Sequence, residues 1–354
     1  MAILVTGGAD YIGSHVAYEL VDANNDVIVL DNLSTGFAGA VPSSARLVIG
    51  DIADEALLRK VHAEHRIDAI IHMAGLVVVP ESITDPLGYY LSNTAPSRTL
   101  IAFAVAAGIR HFIFSSTAAV YGTPASIPVG EDAPLRPLSP YGTSKMMTEL
   151  MLADTAKAHD LRYVALRYFN VAGADPAGRT GQSTRGATHL VKVACEAATG
   201  RRDGIDVFGM DYPTSDGTCI RDFIHVKDLA LAHLAALSHL DSGGPSQTLN
   251  CGYSRGFSVL EVIKAVERVS GRALTVRDAP RRPGDIVEII ADCRRQRSVL
   301  NWTPRHDDID GIVQDAWRWE QASAASRLRS PFRPSVDAQP DAAIAAAATA
   351  EAIE

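Results

Sequence analysis

Brief apolar runs alternate with amphipathic stretches through the first half of the chain. Residues 3–6, 27–31, 47–50, 69–72, 112–115 and 163–167 are short and almost continuously hydrophobic. Such runs suit strands covered on both faces, because a half-exposed strand would alternate polar and apolar positions. Between them the spacing predicts helices over about 11–22, 55–65, 97–107 and 144–159. Strands and helices in alternation predict an α/β fold, a doubly wound parallel (Rossmann) sheet, over residues 1–175. Past residue 175 glycine, proline and polar loops become frequent, with helical stretches at 190–199, 226–240 and 259–270. This half predicts a smaller α/β substrate-binding domain over 176–329, whose segments can cross back to the sheet. From 330 to 354 large apolar residues are scarce and three prolines precede an alanine run, the pattern of a disordered tail.

Composition removes several function classes. Of 354 residues 47% are hydrophobic, and the net charge is −8. An acidic chain without a basic stretch has little to neutralise phosphates, so no nucleic-acid partner is expected. Cys195, Cys219, Cys251 and Cys293 lie far apart and form no CxxC pair, so neither a metal site nor a disulfide framework is expected. Scattered thiols suit a reducing cytoplasm. The first residues carry no signal-peptide pattern, and no apolar run is long enough to span a bilayer, so no membrane partner is expected.

The candidate chemistry begins at the first strand–helix junction, where Gly7-Gly8-Ala9-Asp10-Tyr11-Ile12-Gly13 stands. Glycines there let backbone approach a pyrophosphate, whose charge a helix N-terminus stabilises. Asp31 closes the second strand, placed for an adenosine ribose; an acid there disfavours the extra phosphate of NADP, so the expected cofactor is NAD. Asp10 stands where such a loop usually has its middle glycine. Its charge is expected to weaken the hold on NAD, unless the side chain turns to solvent at little cost. Weaker cofactor candidates are Asp51 and Ile52 after strand three, and Met73, Ala74 and Gly75 after strand four.

Tyr141 and Lys145 are four apart, hence on one face of a helix that Pro140 is suited to start. A tyrosine acting as a base near neutral pH needs its pKa of about 10 lowered by roughly 3 units. A neighbouring ammonium and a positive nicotinamide both act in that direction. Thr117, in the Ser115–Gly122 stretch after strand five, offers a hydroxyl to relay a proton between substrate and Tyr141.

With these pieces in place, the chain resembles the extended short-chain dehydrogenase/reductase superfamily, and within it the UDP-glucose 4-epimerases, over about residues 1–325. The resemblance rests on Tyr11–His15, Asp31–Leu33, Ser115–Gly122, Leu166–Asn170, Asp211–Thr214, Asp216–Val226 and Arg281–Asp285. It implies catalysis by Thr117, Tyr141 and Lys145. It adds Gly7, Tyr11, Ile12, Gly13, Asn32, Ser115 and Tyr168 to the cofactor contacts, together with Tyr141 and Lys145 themselves. Asn170, Arg221 and Arg282 would hold a diphosphate, Phe208 would pack against uracil, Asp285 would accept from the uridine ribose, and Leu190 would line the cleft. His225 is expected to support the fold. The implied reaction oxidises the 4-hydroxyl of UDP-galactose or UDP-glucose, lets the 4-ketose rotate, and reduces it on the other face.

Several positions depart from that pattern. Ser92 stands where an asparagine contacting the cofactor is usual, Val77 where a lysine often lies, Lys192 in place of a proline, and His189 in place of an asparagine. Ile289 occupies the position that limits sugar size; it is smaller than the tyrosine of strict members, so N-acetylated sugars are candidates. Ala118 and Ala119 replace the acid pair a sugar-nucleotide dehydratase needs. A non-catalytic NAD-binding protein would have no use for the intact trio. Apolar residues beyond one face of 97–107 and 144–159 suggest a homodimer, although internal packing also explains them.

Overall fold

The computed structural model describes residues 1–329 except Arg185 and Pro283, with side chains as far as residue 324. The expected tail at 330–354 lies outside the described residues. The strands are β1 (Ala2–Thr6), β2 (Asp26–Asp31), β3 (Arg46–Ile49), β4 (Ala69–His72), β5 (His111–Thr117), β6 (Arg162–Tyr168), β7 (Asn170–Ala172), β8 (Ile205–Phe208), β9 (Ile220–His225), β10 (Gln247–Cys251), β11 (Gly256–Ser258), β12 (Val276–Ala279) and β13 (Glu288–Ile289). The helices are α1 (Tyr11–Asp22), α2 (Glu55–His65), α3 (Val79–Thr84), α4 (Pro86–Tyr89), α5 (Ala95–Ala107), α6 (Pro140–Ala158), α7 (Leu190–Ala198), α8 (Val226–Asp241), α9 (Val259–Ser270), α10 (Arg294–Leu300) and α11 (Ile309–Arg329), and a π turn (Tyr90–Thr94) leads into α5.

Seven parallel strands form the main sheet in the order β10-β6-β5-β4-β1-β2-β3. Alternate residues feed opposite layers, as the pleat demands. Ile3, Val5, Val27, Val29 and Ile71 pack with Val16, Leu20, Leu229 and Ala236 of α1 and α8. Leu4, Ile28, Ile70 and Phe112 pack with Leu58, Leu100, Phe103 and Leu152 of α2, α5 and α6. Both faces are thus covered, which is why the strands read as unbroken apolar runs. Strand order reverses at β1, so a crevice opens at the carboxyl ends of β1 and β4.

The second half divides its labour. α8 and β10 return to the main sheet, where β10 pairs with β6. The remainder builds a small sheet, with β9 paired to β7, β11 and β13, and a β8–β12 pair. Pairing sets Asn170 opposite Phe223, and Ile289 opposite Arg221.

Candidate active site

The glycine loop is shaped by close packing. Gly7 has φ of +70°, and a Cβ there would lie 2.7 Å from the Ala74 nitrogen; one on Gly13 would lie 2.1 Å from the Gly7 carbonyl oxygen. Glycine at both positions lets the first turn of α1 settle onto β1 and β4. The Asp31 carboxylate accepts from the N–H groups of Ala9 (2.9 Å) and Leu33 (2.8 Å), fixing the loop against the end of β2. Burial raises the Asp31 pKa, its two backbone bonds oppose that, and the nearby Asp10 charge adds to the rise. Asn32 donates to Asp51 (3.3 Å) at the exposed rim, and Ile52 is buried beneath them. Tyr11 is buried, its hydroxyl donating to the Gly173 carbonyl at 2.8 Å.

After β4 the chain turns through Met73, Ala74 and Gly75, and here sequence reasoning missed a residue. Asn93, buried in the π turn, accepts from Leu76 N–H (2.7 Å) and donates to the Leu76 carbonyl (3.0 Å) and the Ser144 hydroxyl (3.1 Å). It clamps this turn to α6. Ser92 is exposed beside it. Asn93 gave no local signal, because the turn it clamps lies 17 residues earlier in the chain.

The reactive trio converges at the ends of β4 and β5. Thr117 ends β5, and its hydroxyl is hydrogen-bonded to Tyr141 in the first turn of α6. Pro140 starts that helix and the Ser139 hydroxyl caps it through Gly142 N–H (3.2 Å). Lys145 Nζ donates to the Ser115 carbonyl at 2.9 Å, lies 5.1 Å from the Phe114 ring centre, and would sit 3.7 Å from a Cβ on Gly75. It therefore joins the two strand ends beside the glycine loop's own neighbour.

Electrostatics correct one expectation. Burial pushes the Tyr141 pKa up, and only the Thr117 hydrogen bond opposes it; the lysine does not lower it in the chain alone. The reason is that Lys145 is itself buried, pulled down to about 8, with its ammonium directed at Ser115. A stability signature follows. Between pH 8 and about 10.4 the unfolded chain holds a proton on this lysine that the folded chain has released. The stability of wild type relative to Lys145→Met is therefore expected to rise across that window, read from urea midpoints; a flat difference would contradict the depressed pKa.

The Tyr168 hydroxyl meets His233 of α8 and the Ser115 side chain. Val77 is exposed near the crevice turn. Lys192 ion-pairs with Glu320 of α11 (2.5 Å) and with Glu196 of its own helix (3.5 Å), tying α7 to α11.

In the second half, Asn170 is exposed on β7 and Leu190 begins α7 half-buried. Arg221 donates to the carbonyls of Ile220 and Val287 and pairs with no carboxylate among the described residues. The Asp222 partnership open to it is not made, because the buried Asp222 carboxylate accepts instead from Tyr253, Ser254 and Ala291 N–H. Arg282 is engaged, lying 4.6 Å over the Phe208 ring and 3.1 Å from Asp285, so those three substrate candidates form one exposed cluster. Ile289 is paired opposite Arg221 and is buried with Ala118 and Phe169.

His225, His306 and Asp315 bring ligand-type atoms within 4.8 Å of one another. Lys227 N–H donates to His225 Nδ1 (3.0 Å), which leaves the proton on Nε2, facing Asp315 at 3.2 Å. A neutral imidazole ligating through Nε2 needs the other tautomer. The trio instead staples α8 to α11, in keeping with a fold-supporting His225.

Residues 3–252 match the NAD dependent epimerase/dehydratase family. A UDP-glucose 4-epimerase of Azospirillum brasilense is 56% identical over 320 residues, covering 90% of this chain and 92% of that protein. Among solved structures, UDP-glucose 4-epimerase from Brucella ovis in complex with NAD has a TM-score of 0.87 at 41% identity, covering 90% of this chain and 98% of that one. The UDP-Glc/GlcNAc 4-epimerase of Campylobacter jejuni has a TM-score of 0.79 at 43% identity, covering 91% and 99%.

Proposed function

Because the chain belongs to the NAD dependent epimerase/dehydratase family and, within it, to the UDP-glucose 4-epimerases, we propose that it interconverts UDP-galactose and UDP-glucose by transient oxidation of the sugar 4-hydroxyl. The observation that carries this reading is the meeting of Thr117, Tyr141 and Lys145 beside the strand-four turn. Purified protein given UDP-galactose is expected to form UDP-glucose with no added reductant; no product from protein shown to bind NAD would overturn it.

The residues present fit a dinucleotide. The N–H groups of Ile12 and Gly13, at the start of α1, have no acceptor among the described residues. Such donors suit a pyrophosphate. Asp31 is set for a ribose, Asn32, Asp51 and Ile52 for the adenine end, and Lys145 for the nicotinamide ribose. When bound, NAD supplies a reversible acceptor for the electron pair of the sugar C–H bond and a positive ring that favours the phenolate.

The chain's own groups do the rest. Thr117 passes the proton of the 4-hydroxyl to Tyr141 and returns it, so one side chain serves as base and then acid. Lys145 keeps positive charge against the strand ends. Arg221, Arg282 and Asn170 hold the diphosphate, while Phe208, Asp285 and Leu190 hold the uridine. Firm anchoring at that end leaves the sugar free to rotate between the two half-reactions.

N-acetylated sugars extend the reading. Ile289, opposite Arg221, is smaller than the tyrosine of strict members, and a similar structure is that of a UDP-Glc/GlcNAc 4-epimerase. Wild type is expected to turn over UDP-N-acetylglucosamine, and Ile289→Tyr to lose that activity while UDP-galactose turnover stays within about threefold. Absence of turnover by wild type would sink the extension.

A homodimer formed through α5 and α6 is part of the proposal. Leu91, Met147 and Leu150 are exposed on that side, around a groove lined by Ile101, Val105 and Met151. Sedimentation would give twice the chain mass. All four cysteines are free and buried, which suits a cytoplasmic location; no helix among the described residues is long and apolar enough to cross a membrane.

A further inference from the structure

We propose that Asp10 sets how tightly the cofactor is held, by closing the phosphate-binding end of α1 with its own carboxylate, so that NAD exchanges with the medium instead of staying resident. The inference rests on the NAD-dependent reading above and deepens it.

Asp10 is neither turned freely to solvent nor strained. Its backbone is extended, with φ of −94° and ψ of −177°, so the position does not need glycine. One carboxylate oxygen accepts from Tyr11 N–H at 2.7 Å and from the Thr184 hydroxyl at 2.6 Å. The other accepts from the Thr35 hydroxyl at 2.9 Å. Thr35 follows β2, and Thr184 belongs to the segment between β7 and α7. Three separate stretches of chain therefore close on the helix start through one anion.

That position is in competition with a bound pyrophosphate in two ways. The carboxylate takes Tyr11 N–H, one of the orphan donors that a helix offers to an anion. It also places a negative charge beside the Ile12 and Gly13 N–H groups that remain open. Two anions near one helix end repel. For the dinucleotide to enter, the clasp to Thr184 and Thr35 must open or the charges must be tolerated; both loosen binding. A cofactor held this way leaves and returns, and activity then follows its free concentration.

The experiment measures cofactor binding directly, by calorimetry and by release rate, on protein stripped of NAD. Asp10→Gly is expected to bind NAD about a hundredfold more tightly and to release it correspondingly slowly. Asp10→Asn, which removes the charge and keeps an acceptor, is expected to fall between. Wild type is expected to come through gel filtration with less than one NAD per chain and to gain activity on added NAD, while Asp10→Gly gains none. A melting comparison controls for folding, since glycine is itself a tolerated helix N-cap. Equal affinity and release in wild type and Asp10→Gly would overturn the clasp and leave the epimerase reading standing. Failure of every variant to bind NAD would overturn both.

Discussion

Tyr141→Phe is expected to lower kcat for UDP-galactose by about a thousandfold, in the middle of the 10²–10⁴ range for a positioned acid–base group. The change removes one oxygen whose described partner is the Thr117 hydroxyl, so neither the helix nor the pocket should shift. Substrate affinity and NAD binding should stay within a few-fold, because the diphosphate and dinucleotide contacts lie elsewhere. The size of the loss reflects proton bookkeeping. Burial makes the phenol reluctant to ionise, and the lysine, pulled down to about 8 and turned to Ser115, gives limited help. Without the phenol, no other group among the described residues is positioned to accept the proton from Thr117. Initial rates with wild type and variant at saturating NAD decide the matter; a fall of less than tenfold would remove Tyr141 from the chemistry.

Glu149→Ala is expected to destabilise the protein by about 3–5 kcal/mol, the cost of leaving a buried charge unpaired. Glu149 lies one turn beyond Lys145 on α6, and its carboxylate holds Arg167 of β6 in two bonds of 3.0 and 2.6 Å. The two side chains are 6% and 5% exposed, so solvent cannot replace a lost partner. Burial alone would lower the Arg167 pKa, but Glu149's bonds and charge raise it. The pair extends to the Ser116 hydroxyl (2.5 Å), beside Thr117, and through Tyr121 to Asn250 of β10. It thus ties the helix of Tyr141 and Lys145 to the strand of Thr117. Urea unfolding provides the measurement. Glu149→Leu combined with Arg167→Met should recover most of the loss, because an apolar pair of similar volume leaves no charge behind. A loss below 1 kcal/mol for the single change would show that water reaches the arginine.

Much of this protein could be read before any coordinates. The unbroken apolar runs are a direct consequence of strands buried on both faces, so six of the seven main strands fell where the periodicity put them. The glycine loop, the acid ending β2 and the tyrosine–lysine spacing are local, since each needs only a strand end or one helix turn to acquire its meaning. What required the fold was everything depending on partners distant in sequence. β10 joins β6 from some eighty residues away. Asn93 reaches Leu76 and Ser144, and Asp10 meets Thr184. Glu149 finds Arg167 and Ser116. Hydrogen bonds and ion pairs act over about 3 Å in space, and residue spacing carries no measure of that distance once the chain has turned back on itself. The same holds for charge: a lysine one helical turn from a tyrosine promises a lowered pKa, but burial of both groups and the carbonyl that captures the ammonium reversed the sign.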